Sequence, residues 1–187
     1  MTANAQTAVT AFAGARIVAT GPLAEALPSI KAAADAGQAV LIFSDATARV
    51  LEVDLRGNLA DAQDRLPSVE ARGPGRPKLG VVAREVTLLP RHWDWLATQP
   101  GGASVALRKL VEAAARDPKA ERLAARDAAY RFASAMGGDK AGFDEAMRAL
   151  YAGKRKKFHR QLETWPPDVR EHLEKMAAPV FSDGDEE

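Results

Sequence analysis

Between Arg72 and Trp95 the chain reads RGPGRPKLGVVAREVTLLPRHWDW. Glycine and proline crowd its first half, so residues 68–80 are expected to form a basic linker without regular structure. From Val81 to Leu89 the residues turn β-branched and apolar, which predicts a strand. Pro90 suits the first turn of a following helix, with Trp93, Leu96 and Ala97 facing inward. The break QPGG and the run ASVALRKLVEAAARD predict a second helix. In it Leu107, Leu110, Val111 and Ala114 form an i, i+3, i+4, i+7 stripe. The middle of the chain, residues 81–118, therefore reads as a strand-helix-helix element.

Upstream, residues 1–67 read as a small α/β unit. AVTAFAGARIVATG is β-compatible and ends at Gly21-Pro22. PLAEALPSIKAAADAG predicts an amphipathic helix with Leu23, Ala26 or Leu27, Ile30 and Ala34 on one face and Gly37 as its stop. AVLIFSDATARVLEVDL predicts two strands around the turn Ser44-Asp45-Ala46-Thr47, with Leu51, Val53 and Leu55 alternating against Glu52 and Asp54. A short helix, Leu59 to Leu66, closes this unit. Downstream, residues 119–179 read as a helical bundle with apolar stripes on four helices. Those stripes are Ala124 to Met136, Phe143 to Tyr151, Phe158 to Trp165 and Val169 to Met176. An acidic tail, 180–187, follows. The expected class is α+β.

Composition narrows the functions. The chain has 187 residues and no cysteine, which excludes disulfides, thiolate metal sites and cysteine nucleophiles. No apolar run is long enough to span a bilayer, and MTANAQTAVTAFAG lacks the features of a signal peptide. A cytoplasmic protein without a membrane partner is expected. The formal charge of +1 conceals a basic middle: residues 71–116 carry eight Lys/Arg against three Asp/Glu. Such a segment creates a local field for polyanions.

PGGASVALRKLV resembles the second-helix pattern of ribbon-helix-helix DNA-binding proteins. The resemblance implies that Ser104 sits at the helix start, Ala106 and Leu107 take the apolar pair, and Arg108 the arginine place. It also implies a homodimer whose paired strands present Glu85 and Thr87, or in the other phase Arg84, to a major groove. The first helix is shorter than that family shows, and Glu85 repels phosphate while accepting from cytosine. GPGRPK resembles part of the AT-hook, with Pro74 in place of the first arginine. The expected nucleic-acid contacts are Arg72, Arg76, Lys78, Arg84, Glu85, Thr87, Arg91, Ser104 and Arg108. A second basic patch, Lys154, Arg155, Lys156, Lys157 and Arg160, opens a helix, where cations oppose the dipole. Its bland reading is a solvated face neutralised by Asp168, Glu171 and Glu174.

Enzymatic signals are weak. GASVA lacks the strand and final glycine of a nucleophile elbow. His92, His159 and His172 lack metal-ligand spacing, and Asp45, Glu52 and Asp54 suit the wet side of a hairpin. No catalytic residue, metal or cofactor is expected. Over most of its length the chain is similar to a bacterial family known as domain of unknown function 2239. The similarity rests on DATARVLEVDLRG, on GRPKLGVVAREVTLLPRHWDWLATQPGGASVALRKLVEAAAR, and on AAYRFASAMGGDKAGFDEAMRALYAG with WPPDVREH. It implies no activity. The expected function is DNA binding, as a dimeric regulator or nucleoid-associated protein. The alternative is a protein-interaction or scaffold module whose basic stretch docks an acidic partner.

Overall fold

The structure, a computed structural model, describes residues 4–67 and 84–181. The fold is α+β, and the chain divides into two compact units: Met1–Glu70 with Arg122–Glu187, and Ala71–Glu121.

In the first unit a hairpin joins β1 (Ala8–Ala13) to β2 (Arg16–Pro22). After helix α1 (Leu23–Asp35), β3 (Val40–Ser44) pairs with the other edge of β1, giving an antiparallel sheet in the order β2-β1-β3. The central strand is buried on both sides, and successive residues part to opposite faces. Val9 and Ala11 join Leu23, Ala26, Ile30 and Ile42 in a small core against α1. Phe12 and Phe43 enter the larger core on the other face. A register shift opposite Ala11 and Phe12 places an extra residue, Val18, in β2. This bulge puts Val18 and Ala19 on the α1 side and Ile17 on the other.

The larger core is supplied by α5 (Pro118–Gly137) from Arg122 onward, α6 (Phe143–Tyr151), α7 (Arg155–Leu162) and α8 (Pro167–Ala177). A 3₁₀ turn, Ala178–Phe181, follows α8. Phe132 meets Phe12 at 5.4 Å and Phe43 at 5.1 Å between ring centroids, and Phe12 and Phe43 meet at 6.0 Å. Ala128, Ala129 and Ala133 of α5 share this core with Leu150, Phe158, Leu162, Val169 and Leu173. Two polar links pin helices to the sheet. Asp168, in the first turn of α8, accepts the Ile17 N–H at 2.8 Å. Arg131 donates to the Thr47 carbonyl at 2.7 Å.

Three expectations need correction here. The segment after β3 is not a strand: only Val50 bridges to Phe43, and the Leu51 N–H bonds the Ile42 carbonyl before the chain departs. Leu51, Val53 and Leu55 still pack on the α1-side core, so their alternation records one-sided burial without a ladder. Arg56 donates to the Asp54 carboxylate from backbone and side chain, closing a local turn where pairing would otherwise continue. In the helices, Ala135 and Tyr151 are exposed although their stripes place them inward. The short helix is α2 (Leu59–Asp64), set by a capping box between Asn58 and Asp61.

In the second unit, α3 (Pro90–Ala97) packs against α4 (Gly102–Ala115). Of the expected strand, residues 81–83 lie outside the described residues, and 84–89 belong to no sheet. The ribbon of a ribbon-helix-helix fold is thus absent from the part described. A strand needs a ladder partner, and β propensity alone supplies none. The inward stripes fail as well. Leu96 and Ala106 are buried, whereas Trp93 is 42% exposed, and Ala97, Leu110, Val111 and Ala114 also face solvent. Trp95 is exposed too.

Gly137 marks the tightest contact in the first unit. A Cβ there would overlap the ring of Trp165, whose indole N–H donates to the Ala141 carbonyl at 3.0 Å. Gly137→Ala is expected to destabilise the fold by about 1–3 kcal/mol, the usual range for overpacking a core. A melting temperature equal to that of the unsubstituted protein would contradict this packing.

Candidate nucleic-acid interface

The candidate surface is built on α7. Gly153, with φ 70°, turns the chain between α6 and α7, and the Lys154 N–H bonds the Ala149 carbonyl at 2.9 Å. Phe158 and Leu162 are fully buried and fix one face of α7 to the core. The helical period then leaves the intervening cations on the outside. Lys154, Lys156, Lys157, His159 and Arg160 line an open depression of about 510 Å³, with Glu163 as its one acid.

The polar partners are unevenly shared. Lys157 reaches Glu145 of α6 at 3.0 Å, and this ion pair, with Arg148 beside it, holds the Glu145 carboxyl below the usual range. His159 Nδ1 meets Glu174 at 2.8 Å. Among the described residues, Lys154, Arg155, Lys156 and Arg160 have no acid within ion-pair distance. The expected neutralisation by Asp168 does not occur, because that carboxylate is committed to Ile17. Nor does α7 carry a side-chain cap. Positive charge at a helix N-terminus costs a few tenths of a kcal/mol per exposed group. Lys154, Arg155 and Lys156 stand at that end of α7, whereas Arg160 lies in the last turn, where the dipole favours a cation. The first three are poorly placed for α7 in isolation and suited to a polyanion that supplies the missing negative charge.

The other anticipated contacts do not gather into one site. Arg72, Arg76 and Lys78 lie outside the described residues. Arg84, Glu85, Thr87, Arg91, Ser104 and Arg108 are all exposed in the second unit. Ser104 does not cap α4. Gly101, in the left-handed region at φ 83°, holds the N-cap, and the Ser104 carbonyl instead accepts from Arg108 at 3.2 Å.

Two carboxylates of the first unit are engaged locally. Asp45 accepts the Thr10 hydroxyl at 2.8 Å. Asp54 is clasped by Arg56 at 2.6 Å, with Arg65 at 3.7 Å, and the hydrogen bonds from Arg56 hold its carboxyl far below the usual range. Asp45 and Asp54 thus hold separate local partners. Among the described residues, no group of three or more His, Asp and Glu is arranged to hold a metal ion. No described helix is long and apolar enough to cross a membrane.

Residues 8–177 match the model of the family described as uncharacterized protein conserved in bacteria (DUF2239). The chain belongs to that family. No curated protein and no solved structure matches it.

His172 is the one histidine drawn into the core. Its ring packs against Phe132 at 4.7 Å and Phe12 at 5.5 Å, and its Nε2 is buried without a hydrogen-bond partner. Burial lowers its pKa; nearby Asp45 opposes this shift and Lys175 reinforces it. With the folded value below the ordinary value of about 6.5, the unfolded chain takes up the proton first as pH falls. The contribution of His172 is complete at neutral pH and is lost progressively below about pH 6.5. Thermal melting at pH 7.5 and 5.5 should show this loss in the unsubstituted protein and a smaller loss in His172→Phe. Equal losses in both would place the acid sensitivity elsewhere.

Proposed function

We propose that this protein binds nucleic acid, with DNA as the expected polyanion, through the cationic depression on α7. The observation that supports this reading best is the set of three cations there, Lys154, Lys156 and Arg160, that have no acidic partner among the described residues, on a helix whose opposite face is locked into the core. A rigid support of this kind fixes the spacing of charges and so favours a regular array of phosphates over scattered ions. The major-groove ribbon, which would form between two copies of the chain, is left out of this proposal; within the one chain residues 84–89 form no strand.

A mobility-shift titration with duplex DNA at several salt concentrations tests the proposal. Each phosphate neutralised contributes about −0.9 to the slope of log affinity against log salt. The triple substitution Lys154→Ala, Lys156→Ala and Arg160→Ala is expected to flatten that slope by about 2 to 3. Its melting temperature should hold, since these side chains are exposed. Failure to bind at about 10 µM protein in low salt, within the ordinary range of nonspecific affinity, would overturn the reading.

A protein-interaction role is favoured by one specific observation in the second unit. Trp93, Trp95, Leu110 and Val111 are all large, apolar and exposed, and aromatic residues of this kind anchor protein interfaces. A second copy of the chain is the occupant this reading expects. Light scattering at about 50 µM should then return a homodimer, well above the micromolar dissociation constant at which weak interfaces form. Trp93→Ser with Trp95→Ser should return a monomer. A monomer before substitution would remove the second copy from consideration.

A further inference from the structure

The core leaves two aromatic rings unused. Along α5, Leu123, Arg126 and Tyr130 fall at i, i+3 and i+7, a stripe along the edge of the buried face that carries Ala129 and Ala133, with Leu123 and Tyr130 exposed and Arg126 half-buried. Tyr151 ends α6, next to the buried Leu150. The two tyrosines meet edge to face at 6.0 Å, yet Tyr130 is 42% and Tyr151 51% exposed. The Arg126 guanidinium lies 4.6 Å from the centre of the Tyr151 ring. That contact orients the ring and adds positive charge to it. The neighbouring helices are already fixed by fully buried Phe132, Leu150 and Phe158, so neither phenol is required to hold them.

Tyr151 is also near the cationic depression along the chain, and Tyr130 is in contact with Tyr151. Tyr151 and Lys154 are separated by one tight turn, and three residues span at most about 10 Å. One short stretch of strand bridges that distance. Half-open aromatic rings carrying a stacked guanidinium, next to a row of unpaired cations, match the two requirements for holding unpaired nucleotides. Bases stack on the rings while phosphates follow the charges. Duplex DNA meets only the second requirement, because its base faces are hidden within the stack.

We propose that Tyr130, Tyr151 and Arg126 form a stacking platform that gives this surface a preference for single-stranded over duplex nucleic acid. The proposal rests on the nucleic-acid reading above and goes beyond it in naming the substrate class. Arg126 acts through Tyr151, as a positioning residue; the rings make the contact with bases.

The test is fluorescence anisotropy on the full-length chain, with a labelled thymidine oligonucleotide of about 20 nucleotides and a duplex of the same length, long enough to cover one binding module. The oligonucleotide is expected to bind more tightly. Tyr130→Ala with Tyr151→Ala should weaken its binding by about tenfold per ring while leaving duplex affinity unchanged. Tyr130→Phe with Tyr151→Phe should retain the preference, since stacking needs the ring and not the hydroxyl. Retention in the Phe variant separates stacking from structural damage, and thermal melting of the Ala variant checks folding directly. Equal affinity for both probes, insensitive to the tyrosines but abolished by the triple substitution on α7, would overturn the platform and leave the nucleic-acid reading standing. Absence of binding to either probe would overturn both.

Discussion

The closure of Phe12 and Phe43 by Phe132 is the contact on which the rest of the first unit depends. A three-stranded sheet with one helix on one face leaves its other face bare, and two phenylalanines in water would be a large apolar liability. The α5 helix removes that liability by laying an aromatic ring between them. Residues of α6 and α8 then join α5 in the same core, and α6 in turn seats α7. The rigidity of the cationic surface is inherited from this chain of contacts. So is the burial that lowers the pKa of His172, wedged between Phe12 and Phe132.

What the sequence disclosed follows from which physics is local. Helix α1 was legible because the apolar spacing of Leu23, Leu27 and Ile30 and the stop at Gly37 are both written within a few residues. Helices α7 and α8 were equally plain from Phe158 and Leu162, and from Val169 and Leu173. The segments around 51–55 and 84–89 misled because alternation and β-branching describe half-buried extended chain, whether or not a neighbour completes a ladder. Trp93, Leu110 and Val111 misled for a related reason: an amphipathic period shows that a face is apolar, without showing what covers it. The bond from Asp168 to Ile17 joins residues far apart in the chain and leaves no trace in either neighbourhood.

The cationic surface was only half legible. The run from Lys154 to Arg160 stands out in the sequence, and its placement at a helix start was readable from Gly153. Which charges would remain unpaired was not. Lys157 finds Glu145 on a different helix and His159 finds Glu174 on another, while their neighbours on α7 find no acid among the described residues. Tyr130 and Tyr151 could not be joined from sequence at all, because Tyr151 completes an apolar period and reads as core.

The division of the first unit into Met1–Glu70 and Arg122–Glu187 shapes how the protein is made as well as how it stands. On the ribosome the strands carrying Phe12 and Phe43 emerge long before the helix carrying Phe132. Synthesis at 5–20 residues per second puts many seconds between them. Through that interval the nascent sheet has no cover for its larger apolar face. Closing so long a loop adds only logarithmically to the entropic cost, but non-local contacts of this kind slow folding strongly. The waiting segment is therefore where a chaperone would find its hold, and where slowed synthesis would expose the chain to aggregation.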